Sequence, residues 1–205
     1  MNESFGADSS SRCLIVFAKA PREGSVKTRL IPTLGAEEAA QLYESLLRRT
    51  VEVAKGVRGV NKVFYVSASS DWEYFEQFSD WRIDTQRGDE VGYRMQNALA
   101  KELEAYRDVL LVGADLADVS TGDLVLAYKA LDSGFDAVIG PSHDGGYWSI
   151  GFREQNLSLF DSIEWSSPRV FSQTRSKFRG MDAAYFCLPV RHDIDAPQDL
   201  KYVSE

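Results

Sequence analysis

The residues of this chain best suited to chemistry are charged and sit where regular structure should break. Four cations, Lys19, Arg22, Lys27 and Arg29, fall within eleven residues around Pro21 and Gly24. Lysine offers phosphate oxygens a point charge and arginine a fork of donors, while glycine lets the backbone approach closely. A strand that empties into a basic, glycine-containing loop is a common way for α/β proteins to hold a phosphate. This loop, with Lys19, Pro21, Gly24, Lys27, Thr28 and Arg29, is therefore predicted to bind nucleotide phosphates, although a charged loop after a strand is also a common solvated turn. Two sharper templates fail. Gly24-Ser25-Val26-Lys27-Thr28 lacks the spacing of a Walker A loop, and no G-x-G-x-x-G follows the strand.

Carboxylates supply the second half of the chemistry. Asp115 directly follows the apolar run 108–113, where an exposed carboxylate would face a site at the strand end; a helix cap or turn aspartate would look the same. Asp118 could cap the helix that starts near Thr121. Asp195 precedes Ala196-Pro197 and could serve only an Asx turn, and Asp193 competes with it as a second ligand. Cations from one loop and carboxylates from others suit a diphosphate bound through Mg²⁺ or Mn²⁺. Asp144-Gly145-Gly146 demands a permissive backbone just after a strand, as a ligand-lining turn or as a plain hairpin. At least one of its neighbours Tyr147 and Trp148 is expected in the core. His143 and His192 have no metal-ligand spacing and are assigned neither as ligands nor as a base. No G-x-S-x-G, H-x-x-x-H or zinc-like cysteine set occurs.

The elements that must position these residues alternate. Short apolar runs at 14–18, 62–67, 81–86, 108–113, 136–140, 149–152 and 184–189 read as strands. Helical patterns run over 35–55, 71–78, about 91–106, 121–131 and 168–179, with a short one from Asp199. Asp71 is a candidate cap, and proline opens the helix at 168. Such alternation predicts a three-layer α/β domain with a mostly parallel sheet. The polar stretch 1–12 is expected to be a disordered tail, leaving 13–205 as one domain.

Composition narrows the function classes. A formal net charge of −8 argues against general nucleic-acid or anionic-membrane binding, because both need basic surfaces. No run of about eighteen apolar residues exists to span a bilayer. Cys13 and Cys187 form no C-x-x-C pair and lie in apolar runs, so buried free thiols and a cytoplasmic location are expected. Aromatic residues at 12% leave room for a homodimer face, but no stretch identifies one.

Several stretches together resemble a known family. They are Phe17-Ala18-Lys19-Ala20-Pro21 with Gly24 and Val26-Lys27-Thr28-Arg29-Leu30, and Gln86-x-Gly88 with Gly92-x-Arg94-Met95. Gly140-Pro141 with Asp144-Gly145-Gly146-Tyr147, Ile163 with Trp165-Ser166, and Asp193-Ile194-Asp195 with Asp199-Leu200 complete the set. The chain is similar to the glycosyltransferase-A-like bacterial family described as radical-SAM/selenodomain-associated transferase 1, and more distantly to the molybdenum-cofactor and phospholactate guanylyltransferases. The resemblance implies a Rossmann-like nucleotide-diphospho-sugar transferase fold. It implies that the first loop contacts the nucleotide phosphates, with Lys27 and Asp115 catalytic. It further implies a metal held by Asp115 and Asp195, and a substrate side formed by Arg94, Asp144, Gly145, Gly146 and Tyr147. The activity expected is glycosyl transfer from a nucleotide sugar to a small-molecule acceptor. The alternatives are nucleotidyl transfer from an NTP to a phosphorylated acceptor, or nucleotide binding without turnover. One departure stands out: where the family reads Gly-x-Asp-Cys-Pro-x-Leu, this chain has Gly113-Ala114-Asp115-Leu116-Ala117-Asp118-Val119, which predicts a less rigid Asp115.

Overall fold

The computed structural model of the chain describes residues 11–153 and 157–203. The expected tail lies outside the described residues up to position 10, and Arg12 already belongs to the first strand. Seven strands, β1 (Arg12–Ala18), β2 (Asn61–Val66), β3 (Arg82–Thr85), β4 (Asp108–Gly113), β5 (Ala137–Pro141), β6 (Tyr147–Phe152) and β7 (Tyr185–Cys187), form one sheet in the order β3-β2-β1-β4-β6-β5-β7. Only β6 runs against its neighbours, β4 and β5; the other pairs are parallel. The sheet is mixed and mostly parallel, as the sequence predicts.

The helices are α1 (Ile31–Leu34), α2 (Ala36–Lys55), α3 (Trp72–Phe75), α4 (Val91–Leu103), α5 (Thr121–Asp132) and α6 (Val170–Gly180). Strand residues alternate between two cores, as pleating requires. Leu14, Val16, Leu110 and Val112 pack with α2, α3 and α5, whereas Cys13, Ile15, Val109 and Leu111 pack with α4 and α6. Tyr43, Leu47, Val51 and Ala54 put one stripe of α2 on the first core. Burial of Leu47 contributes about 1.5–3 kcal/mol.

The boundaries differ from the sequence reading where side chains found other partners. The 71–78 pattern shortens to α3, and Asp71 caps nothing: its carboxylate accepts from Ser67 Oγ at 2.8 Å and pairs with Arg22 at 3.4 Å. Ser120, not Asp118, caps α5 through a reciprocal box with Asp123. The helix expected over 168–179 begins at Val170, two residues beyond Pro168. Cys187 is exposed, against expectation, because β7 is a three-residue edge strand with a partner on one side only. Among the described residues no helix is long and apolar enough to cross a membrane.

The chain runs from β1 outward through β2 to β3, then returns to place β4 on the other side of β1. The loops leaving β1 and β4 therefore diverge from adjacent strand ends. A crevice at such a switch point is where open α/β sheets bind ligands.

Candidate functional site

The loop after β1 is pinned at two points. Val26 and Leu30 are buried, and Leu30 N–H donates to Lys27 O at 2.8 Å. Gly24, at φ 73°, closes a turn in which Ser25 N–H donates to Arg22 O. Between the two buried anchors Lys27 adopts the left-handed conformation, φ 46° and ψ 40°, which an L side chain rarely takes. At the start of the loop, Lys19 N–H donates to Tyr43 Oη at 2.9 Å. Arg22 turns away and binds Ser70 O and Asp71, tying this loop to the one after β2.

The loop after β4 is stitched to the segment after β7. Leu116 forms an antiparallel bridge with Asp193, Ile194 N–H donates to Asp115 O at 3.2 Å, and Ala117 N–H donates to His192 O at 3.0 Å. His192 N–H in turn donates to Asp118 Oδ1 at 2.8 Å. The Cys-Pro departure thus has a local compensation: Ala117 supplies an N–H that proline lacks, and Leu116 and Ala117 are both buried. The backbone of Asp115 is tied to the segment after β7 through Ile194 N–H.

These two stitched loops bring Lys27, Asp115 and Asp195 together. Lys27 Nζ lies 2.6 Å from Asp115 Oδ2 and 3.0 Å from Asp195 Oδ1, and Arg29 Nη1 reaches Asp195 Oδ2 at 3.3 Å. The lysine side chain is 3% exposed, while the carboxylate side chains are 32% and 43% exposed. Burial alone would lower the Lys27 pKa, but the two carboxylates outweigh it and hold the ammonium above its ordinary value. All of these residues line a cavity of about 500 Å³, together with Lys19, Thr28, Arg94 and Gln86. Arg94 Nε donates to Gly88 O at 2.8 Å, which fixes the guanidinium at the cavity wall.

Other predicted residues lie apart from this lining. Pro21 and Gly24 shape the loop without facing the cavity, and Asp144, Gly145, Gly146 and Tyr147 sit on the next turn. Asp144 accepts from Ser142 Oγ and from Gly146 N–H at 2.8 Å, so it organises its own turn. Gly145, at φ 90°, packs on Pro168, whose carbonyl oxygen would lie 2.2 Å from any Cβ there. Asp193 feels carboxylates of both groups: its pKa is pushed up to about 7, first by burial and then by Asp144, Asp115 and Asp195.

Two features escape sequence reasoning. His143 and His192, assigned no role, stack at 3.9 Å, and His192 also stacks on Tyr202 at 3.7 Å. Nothing in their spacing joins them, since β5 and β7 bring their loops together. Tyr43 reads as a helix core residue; the signal that could have revealed it is a phenol on an apolar stripe, which needs a polar partner.

Asp115 and Asp195 are hard oxygen donors that converge within 3.0 Å of one point. Among the described residues no group of three or more Asp, Glu, His or Cys side chains forms a ready cage. Mg²⁺ is commonly held by one or two carboxylates, substrate phosphates and water. The residues therefore fit an ion that shares its shell with a phosphate.

A family model described as "Uncharacterized protein conserved in bacteria (DUF2064)" matches residues 49–167. No curated protein matches the chain. The crystal structure of a provisionally named nucleotide-diphospho-sugar transferase from Desulfovibrio desulfuricans G20 is 32% identical, with a TM-score of 0.84 over 93% of this chain and 85% of that one. CMP:2-keto-3-deoxy-manno-octonic acid synthetase complexed with CTP is 11% identical, with a TM-score of 0.60 over 95% and 97%. Glucosyl-3-phosphoglycerate synthase from Mycobacterium tuberculosis, in complex with Mn²⁺, UDP and glucosyl-3-phosphoglycerate, is 14% identical, with a TM-score of 0.54 over 95% and 76%. At such identities the last two likenesses speak for the fold alone.

Proposed function

The chain belongs to the bacterial family of uncharacterized proteins whose model it matches, and we propose that it is a divalent-metal-dependent transferase working on a nucleotide donor. The observation that carries this reading is the convergence of Lys27, Asp115 and Asp195 on the wall of a cavity that Lys19, Arg29 and Arg94 also line. Lys19, Lys27 and Arg29 would neutralise donor phosphates, and Arg94 would face them from α4. Asp115 and Asp195 would hold Mg²⁺ or Mn²⁺, which when bound stabilises the charge that builds on the leaving phosphate. The turn of Asp144, Gly145, Gly146 and Tyr147 would border the acceptor, with Asp193 between it and the carboxylate pair.

Glycosyl transfer from a nucleotide sugar is the first reading, in line with the name of the 32% identical relative. A second reading, nucleotidyl transfer from an NTP, has its own support in the charge of the cavity. Four cations against two carboxylates leave a formal +2, and one divalent ion raises it to +4. That matches a triphosphate of about −4 better than a diphosphate ester of about −2.

A thermal-shift panel of NTPs, NDPs and nucleotide sugars, with and without Mg²⁺ or Mn²⁺, tests the proposal, because a ligand selective for the native state raises Tm by mass action. A metal-dependent shift that Asp115→Ala removes is the expected result. The same shift surviving in Asp115→Ala would sink the metal reading, and unaltered nucleotide affinity in Lys27→Ala would sink the phosphate-loop reading. Product analysis with the best donor then separates pyrophosphate release from nucleoside diphosphate release.

A further inference from the structure

Lys27 holds the position that two carboxylates would otherwise offer to a cation. Its ammonium touches both Asp115 and Asp195, is almost wholly removed from water, and leaves the carboxylates open to the cavity. With Arg29 on the outer oxygen of Asp195, two negative charges already meet two positive ones. A free divalent ion approaching this cluster meets no net attraction and must compete with a buried ammonium already paired to both carboxylates.

We propose that Lys27 is a built-in counterion that reserves the carboxylate pair, so that a divalent cation enters with the donor's phosphates rather than before them. The inference rests on the nucleotide-dependent reading above. Phosphate oxygens would offer Lys27 and Arg29 new anionic partners, which frees Asp115 and Asp195 for the ion. The lysine can make this exchange because only its flexible stem has to move: the backbone is clamped on both sides by Val26 and Leu30. That clamp also accounts for a left-handed backbone at a non-glycine residue, since the buried neighbours and the double ion pair over-determine it. Reciprocity follows: phosphate must raise cation affinity by the same factor by which the cation raises phosphate affinity.

The test uses the full chain, with Mn²⁺ alone and with inorganic pyrophosphate as probes. Mn²⁺ binding is followed by electron paramagnetic resonance, and stability by thermal melts. Wild type is expected to bind free Mn²⁺ weakly, and Lys27→Met to bind it at least tenfold more tightly. In wild type, Mn²⁺ and pyrophosphate together should raise Tm by more than the sum of their separate shifts, and in Lys27→Met this excess should shrink. Lys27→Gly, which suits the left-handed backbone, should reproduce the tighter Mn²⁺ binding and guards against a misfolded methionine variant. Adding Asp115→Asn to either variant should abolish the gain.

Folded Lys27 variants that bind Mn²⁺ no better than wild type would overturn the proposal. So would wild type that binds Mn²⁺ equally well with and without pyrophosphate, or a gain that survives Asp115→Asn. A lost gain accompanied by intact, Asp115-dependent nucleotide shifts would remove the counterion role alone. Loss of those nucleotide shifts would instead remove the transferase reading beneath it.

Discussion

The strands β1 and β4 carry an ion cluster at each end, and the two clusters differ in one respect that matters. At the N-terminal ends Arg12, Arg107 and Arg153 surround Asp108, which is 0% exposed, and Arg12 and Arg107 also hold Asp132. At the C-terminal ends Lys27 is the buried member and Asp115 and Asp195 face a cavity. Below, the buried anion Asp108 is wrapped by cations and keeps no exposed oxygen. Above, a buried cation is gripped by anions that keep open coordination sites. Ion pairing alone therefore does not mark a site; which partner stays accessible does.

Breaking the lower cluster should give the largest effect. Asp108→Ala leaves arginines without their buried carboxylate and is expected to cost about 3–5 kcal/mol of stability. Nucleotide-induced shifts of the fraction that still folds should persist. Urea melts with and without ligand check both points, and loss of binding with unchanged stability would break the contrast. The upper cluster should behave in the opposite way. Asp115→Asn is expected to weaken metal-dependent nucleotide binding about a hundredfold, about 2.7 kcal/mol, while Tm without ligand moves by only a few degrees. Isothermal titration with the best donor measures the first and a melt the second.

Asp193 sharpens the contrast, because its environment is hostile to its own charge. Its native pKa of about 7 lies above the unfolded carboxylate value of about 3.9. The native state thus holds the proton more tightly, and stability is lost as pH rises. The penalty is absent below pH ~4, grows between the two values and is complete above pH ~7. Asp193→Asn should accordingly stabilise the metal-free protein at pH 8, with an advantage that fades as pH falls towards 4. Denaturant melts across that range decide it, and a pH-independent difference would refute it. The smallest effect expected is at Tyr43. Tyr43→Phe removes the acceptor for Lys19 N–H, at about 1 kcal/mol, and should lower Tm by about 2–4 °C while weakening donor binding several-fold.

Much of this was legible in the chain. Near-continuous apolar runs such as 108–113, too short for a buried helix, read as strands covered on both faces, and the helical stripe of α2 has a clear period. The basic loop and Asp115 could be picked out because their charges interrupt those runs. Less legible were the ends of elements, where side chains choose among rival partners: Ser120 rather than Asp118 at α5, and Ser67 and Arg22 for Asp71. The choice between Asp193 and Asp195 was open as well. The structure puts Asp195 on Lys27 and Arg29, and leaves Asp193 among carboxylates.

The layered α/β architecture and the charged residues at the strand ends are written in local patterns, because hydrophobic period and abrupt charge are local properties. The meeting of Lys27 with Asp115 and Asp195, across separations of 88 and 168 residues, is a product of the folded chain. So are the stacking of His143 on His192 and the bond from Ala117 N–H to His192 O. Such contacts arise where strand order brings distant loops to one edge of the sheet. No local pattern encodes that meeting, because it depends on how the whole chain closes on its core.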